Sequence, residues 1–230
     1  MALIEIIHLG AEPLPDSHTG RITADNIMRN AANALEGVNS TQHLALGTRV
    51  QDKDTIQITS EWDDIQDYVM LEATPEYSSF INGVRGPCGK PDDIFHVSLN
   101  RSAFGPNGPA TAQVIEFVQN FFPASRVTLD FQKAVEEDFI RFDSIYKKGA
   151  KGNLDWASGW VLEEQEHESI EGEKAKCFFI MRGWESMDDF EKSVQNDAYK
   201  EAIPILFAWN APWKMWHVEH KTLNVPDVVA

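Results

Sequence analysis

Two histidines occupy matching positions late in each half of this chain, His96 within Asp93 to Leu99 and His217 within Lys214 to Glu219. Both segments read as β-strands, where alternate residues share a face. Ile94, His96 and Ser98 therefore line one side of the first, and Met215, His217 and Glu219 the corresponding side of the second. The opposite faces, Phe95, Val97, Leu99 and Trp216, Val218, are apolar. A partly polar face is what a pocket wall requires, since ligand sites are mostly apolar with a few placed polar groups. Imidazole titrates near neutral pH, so His96 or His217 can serve as general base toward a phenol or an acidic carbon. The competing reading is a packed imidazole bonded to backbone. Glu219 either raises the basicity of His217 or makes a surface ion pair.

Tyr68 is the third catalytic candidate. Its counterpart in the second half is Phe190, so one hydroxyl separates the two copies and can orient a substrate oxygen in one of them; a core tyrosine with its tip in water is the alternative. His8 and His43, on strands of the first half, are candidate substrate contacts, with Arg49 as an anion partner. Tyr77 belongs to the same set, although its match with Tyr199 also fits a structural role. Trp213, beside Met215 and Trp216, is placed for a pocket mouth. Six of the seven Trp lie in the second half, a surplus that lines a flat aromatic pocket or fills a core. No metal is expected: His217 and His220 point to opposite strand faces, and no Cys or carboxylate cluster has zinc spacing. Without a glycine-rich phosphate loop or a G-x-S-x-G elbow, neither flavin nor nicotinamide has support, so no cofactor is expected.

The elements that carry these residues occur twice. Trp62, Ile65, Tyr68, Tyr77, Phe80, Ile81 and Val84 are matched without a gap by Trp184, Met187, Phe190, Tyr199, Ala202, Ile203 and Leu206. Such register points to an internal duplication. The first copy reads as a strand at Ile4 to Leu9, a helix capped by Asp25 with Ile27, Ala31 and Leu35 on one face and Gly37 at its end, and a hairpin of Thr41 to Val50 and Thr55 to Ser60. Then come the Trp62 to Val84 helices, broken near Thr74-Pro75, and a strand at Asp93 to Leu99. The second copy reads as a strand at Thr111 to Phe117, a helix with Phe131, Val135, Phe139, Phe142 and Tyr146 on one face, a hairpin of Trp156 to Leu162 and Lys176 to Met181 with an acidic connection, and the closing strand. Asn100 to Pro109, with its Pro and Gly residues, reads as the linker. The predicted division is residues 1–104 and 105–230, each βαββαβ.

An antiparallel sheet with helices on one face must bury the other, and the duplicate supplies the partner. The fold class predicted is therefore α+β: two tandem ferredoxin-like units whose sheets pack into one α+β barrel with helices outside. A monomer suffices for that barrel; a homodimer is possible and not required. At 230 residues, 43% hydrophobic, with a formal charge of −16, the chain is globular and repels phosphate backbones and anionic lipid surfaces. Neither nucleic acid nor membrane is an expected partner. The beginning lacks the basic region of a secretory signal, and the expected compartment is the cytoplasm. Cys88 and Cys177 read as free thiols, Cys177 in the core.

The chain resembles the dimeric α+β barrel superfamily, in particular the antibiotic biosynthesis monooxygenase group, in tandem form. The most specific pieces are Trp62-Asp63-Asp64-Ile65-Gln66-Asp67-Tyr68 with Pro75-Glu76-Tyr77, and Trp184 to Phe190 with Asn196-Asp197-Ala198-Tyr199. The resemblance runs from Ile4 to about Leu223. It implies cofactor-free oxygenation of aromatic polyketides, aldol-type cyclisation, lyase chemistry, or haem binding through an axial His. Ile65 to Val69 also looks like the part of plant polyketide cyclases where a Tyr at the place of Tyr68 positions substrate; Tyr77 stands where those cyclases carry a catalytic His. The function expected is a cofactor-independent monooxygenase acting on an aromatic or polyketide-like small molecule through base-assisted deprotonation. A polyketide cyclase or carbon-carbon lyase in the same pocket, and a non-enzymatic small-molecule or haem-binding stress-type protein, are the alternatives.

Overall fold

Nearly continuous apolar runs from Leu3 to Leu9 and from Val114 to Phe122 give each half a first strand that is largely buried on both faces, and the other elements assemble on it. In a computed structural model, residues 2–10, 41–53, 55–62, 65–75, 77–79, 81–82 and 93–221 are described. The helix expected from Asp25 to Gly37 and Cys88 lie outside them. The chain divides into two units, Met1–Ser102 with His217–Ala230, and Ala103–Trp216.

The first unit contains β1 (Ala2–Gly10), β2 (Thr41–Arg49), β3 (Thr55–Trp62), α1 (Ile65–Glu72) and β4 (Asp93–Leu99). Its strands are antiparallel in the order β4-β1-β3-β2, with Leu3 opposite Trp62 and Glu5 opposite both Ser60 and His96. Leu3, Ile7 and Leu9 of β1 pack with Leu46, Ile56, Ile58 and Trp62 against Tyr68, Tyr77 and Ile81. The helical turn bearing Tyr77 starts where Thr74 Oγ1 accepts from the Tyr77 N–H at 3.2 Å.

The second unit contains β5 (Val114–Pro123), α2 (Leu129–Tyr146), β6 (Asn153–Val161), β7 (Ala175–Trp184), α3 (Met187–Ser193), α4 (Asp197–Phe207) and the start of β8 (Trp213–Lys221). Its order is β8-β5-β7-β6, with Val114 opposite Trp184 and Glu116 opposite Arg182. Thr128, Ser186 and Asn196 cap the three helices, and Asn196 Oδ1 accepts from the Tyr199 N–H at 2.8 Å. The Asn196 to Tyr199 motif is thus a helix start, as Thr74 to Tyr77 is in the first unit. From His217 onward β8 belongs to the first unit and pairs with β2, Arg49 opposite Val218 and Leu46 opposite Lys221. Gly47 is needed there, because a Cβ would lie 2.3 Å from the Glu219 carbonyl oxygen.

One local expectation is corrected. The strand expected at Thr111 to Phe117 begins at Val114 and runs to Pro123, because Pro109–Thr111 form a 3-10 turn closed by Ala112 N–H to the Pro109 carbonyl at 3.2 Å. The stretch read as a linker holds the boundary between the units, Ser102 to Ala103, and part of it is packed: Ala103 and Pro109 are buried, and the Ala110 N–H donates to the Ala103 carbonyl at 2.9 Å. No helix among the described residues is long and apolar enough to cross a membrane.

Candidate functional site

A glutamate interrupts the apolar run at the same place in both first strands, Glu5 between Ile4 and Ile6 and Glu116 between Ile115 and Phe117. Each faces the helix side of its sheet, two residues along from the position opposite the tryptophan that ends β3 or β7. Neither was singled out in the sequence. The signal that finds them is a charge in matching apolar surroundings, which is costly unless it is paired or used.

In the first unit the surroundings of Glu5 are filled. Tyr77 donates its hydroxyl to Glu5 Oε1, Ser60 Oγ donates to Oε2 at 3.0 Å, and His96 Nε2 lies 3.6 Å from Oε1. Tyr68 Oη is 3.4 Å from Tyr77 Oη, and its ring sits 4.2 Å from the His96 imidazole, centroid to centroid. Burial foremost, with the Glu5 carboxylate adding to it, holds both phenols well above their ordinary pKa, so both stay protonated. The fold therefore brings together three residues singled out in the sequence, Tyr68, Tyr77 and His96, around a carboxylate that was not.

The remaining candidates separate. His8 is buried on the opposite sheet face, against Phe95, with Arg49 Nη2 3.1 Å from its Nδ1 and Gln57 Oε1 3.1 Å from its Nε2. Arg49 thus contacts an imidazole. His43 is exposed. His217 is fully buried and clamped by Gln51, whose Nε2 donates to Nδ1 at 2.8 Å and whose Oε1 accepts the His217 N–H at 3.0 Å. Burial lowers its pKa to about 4. Glu219 is half exposed and bonds Lys53 at 3.1 Å, a surface ion pair. Trp213, 54% exposed, reaches a cavity of the second unit together with Met215.

That cavity, about 500 Å³, lies between the sheet of the second unit and its helices α2, α3 and α4. Its body is apolar, with Phe139, Phe142, Ile180, Phe190, Ile203 and Leu206 on the walls, and its polar groups come from β5, β7, α2, α4 and the loop after α4. Trp184 Nε1 donates to Glu116 Oε2 at 2.9 Å, and Arg182 stands opposite Glu116 in the strand register. Arg182 is itself fixed: Nη2 donates to Asp143 Oδ1 at 2.7 Å, Nη1 to Asn153 Oδ1 at 3.1 Å, and the guanidinium lies 5.2 Å from the Tyr146 ring centre. Ser193 Oγ gives its proton to the Phe190 carbonyl at 2.6 Å, so Tyr146 is the donor in its 2.5 Å bond to Ser193.

Burial raises the Glu116 carboxyl above its usual range, and the Arg182 charge and the Trp184 bond draw it partly back. A carboxylate poised this way can take a proton from a weak acid, and the adjacent guanidinium can steady the resulting oxyanion. The wall includes no His and no Cys, so it lacks the imidazole or thiolate that would hold haem iron. Among the described residues no group of three or more His, Cys, Asp or Glu is placed to hold a metal ion. Of the tryptophans, Trp213 reaches the cavity, whereas Trp156, Trp160, Trp184 and Trp209 pack in the core of the second unit and Trp216 stacks on Phe117. Cys177 is buried as a free thiol, its pKa raised by burial.

No protein-family model matches the sequence, and no curated protein matches it. Solved structures do match. An anthrone oxidase-like protein is 11% identical, over 96% of this chain and 92% of its own, with a TM-score of 0.58. A candidate monooxygenase from Lactobacillus acidophilus NCFM is 10% identical over 96% and 94%, with a TM-score of 0.56, and a candidate chlorite dismutase is 7% identical over 96% and 94%, with a TM-score of 0.58. At such identities the likeness is one of fold: antiparallel sheets with helices packed on them, an α+β arrangement.

Proposed function

We propose that this protein is a cofactor-independent monooxygenase whose active site is the cavity of the second unit, acting on an apolar, aromatic molecule with an acidic C–H bond. The observation that carries the reading is the pairing of Glu116 with Arg182, in register, on the wall of an otherwise apolar space. The Glu116 carboxylate takes the C–H proton, and the electron pair moves onto the neighbouring carbonyl as an enolate whose oxygen Arg182 stabilises. The electron-rich carbon passes an electron to dioxygen, and the radical pair closes to a C–O bond, giving a peroxide that takes the proton back from Glu116. Loss of the second C–H proton and cleavage of O–O leave one oxygen in a new carbonyl and the other in water. Dioxygen is the only oxidant, and no reductant is consumed.

In this reading the base is Glu116 rather than His96 or His217, and Tyr68 has no part in the reaction. A buried imidazole with a pKa of about 4 is neutral at pH 7 and a weak proton acceptor. His96 and Tyr68 lie against each other and Glu5 in the first unit. That matching folds include an anthrone oxidase-like protein and a candidate monooxygenase adds support. The test is oxygen uptake by the purified protein with anthrone, without added flavin or metal. Uptake matched by quinone formation, reduced about 100-fold or more in Glu116→Gln, is expected. No uptake, or uptake indifferent to that substitution, refutes the proposal.

A further inference from the structure

Asn120 is a buried polar side chain of the cavity that the mechanism above leaves without a task. It is 7% exposed and lies on the cavity wall, and its Nδ2 has no hydrogen-bond partner within the protein. A buried amide donor left unsatisfied is costly, and where one faces a ligand-sized space an acceptor on a ligand can satisfy it. Asn120 is on β5, as is Glu116, and both belong to the same strand face. Four residues of strand separate them, about 13 Å along the chain. Phe139, Phe142, Ile180 and Leu206 are among the side chains that line the space with them.

We infer that Asn120 is a specificity residue that donates a hydrogen bond to an acceptor oxygen on the end of the substrate remote from the reacting carbon. The inference rests on the cavity being the substrate site, and it narrows the substrate class. The molecule is elongated and apolar in its middle, with an ionisable group for the Glu116 and Arg182 end and a carbonyl-type oxygen for the Asn120 end. A compact single-ring substrate would satisfy one end only. Discrimination should be sharp, because an analogue lacking the acceptor leaves the amide buried and unpaired in the complex as well.

The experiment compares two rigid probes, 4-acetyl-4′-hydroxybiphenyl and 4-ethyl-4′-hydroxybiphenyl, by quenching of tryptophan fluorescence and by calorimetry on the full chain. The wild-type protein should bind the acetyl probe about 10-fold more tightly than the ethyl probe. Asn120→Leu should abolish or invert that preference while binding the ethyl probe at least as well, and should raise Tm, because an unsatisfied buried amide has gone. Asn120→Asp, which exchanges a donor for an acceptor, should reject the acetyl probe. If the ethyl probe binds but wild type shows no acetyl preference, or the preference survives in Asn120→Leu, the role of Asn120 is overturned while the cavity remains a binding site. If neither probe binds wild type, the cavity reading falls and this inference with it.

Discussion

Glu5 and Glu116 occupy equivalent positions in the two units and have opposite surroundings. Around Glu5 the space is filled: Tyr77 and Ser60 donate to its two oxygens, and His96 Nε2 stands at 3.6 Å. Around Glu116 there is one indole donor, a guanidinium across the strand, and open space. The residue opposite in register decides much of this: Ser60 on β3, Arg182 on β7. So does the residue one helix away, since Tyr68 of the first unit corresponds to Phe190 in the second. Even the tryptophans follow. Trp184 spends its N–H on Glu116, while the Trp62 N–H is buried without a hydrogen-bond partner among the described residues. A shared scaffold thus holds one carboxylate saturated and the other available, and availability is what acid-base chemistry requires.

Activity provides the strongest way to break this contrast. Glu116→Gln should cost about two to four orders of magnitude in oxygen uptake, the usual range for a lost general base, while Glu5→Gln leaves the rate within a few-fold. Equal losses would show that the two carboxylates are not divided in role. Next in size is Asp143→Ala, which strands the buried Arg182 guanidinium. Chemical denaturation should show a loss of about 3 to 5 kcal/mol, with most of it recovered in Asp143→Ala combined with Arg182→Met.

pH separates the units by the sign of its effect. The folded-state pKa of His217 is about 4 against 6.5 unfolded, so between those values the unfolded chain binds a proton that the folded chain does not. Stability should fall by about 3 kcal/mol as pH drops through that window, and His217→Gln should flatten the fall in urea midpoints. Glu116 is raised, so its proton is kept longer by the folded state. Its contribution is present at low pH and lost as pH rises through its folded pKa, and Glu116→Gln removes that loss. The smallest effect is in the indoles. Trp184→Phe gives up a bond to Glu116 that Trp62→Phe does not, and should destabilise by about 1 kcal/mol more in a thermal melt.

Much of the architecture was legible from pattern alone. The strand at Asp93 to Leu99 and the helix face of Val135, Phe139, Phe142 and Tyr146 follow from periods of two and 3.6, and both stand in the structure as expected. The meeting of His96 with Tyr68 was half legible: strand parity placed His96 on the helix side, but a helix residue's partner across the sheet depends on packing angles that sequence does not carry. Pro109–Thr111 shows the limit at element boundaries, where a single turn bond displaces a strand start by three residues.

By itself the sequence determined most of the described elements, their order and their apolar faces, because these depend on local periodicity and on the cost of exposing hydrocarbon. Tertiary structure alone decided which carboxylate is saturated. Glu5 and Glu116 sit in near-identical local surroundings, and their difference arises from Ser60, Tyr77, Arg182 and Asp143, residues distant in the chain that only strand register and helix packing bring within hydrogen-bond range. The electrostatic character of a buried group is the sum over such neighbours, and no local reading of the chain contains that sum.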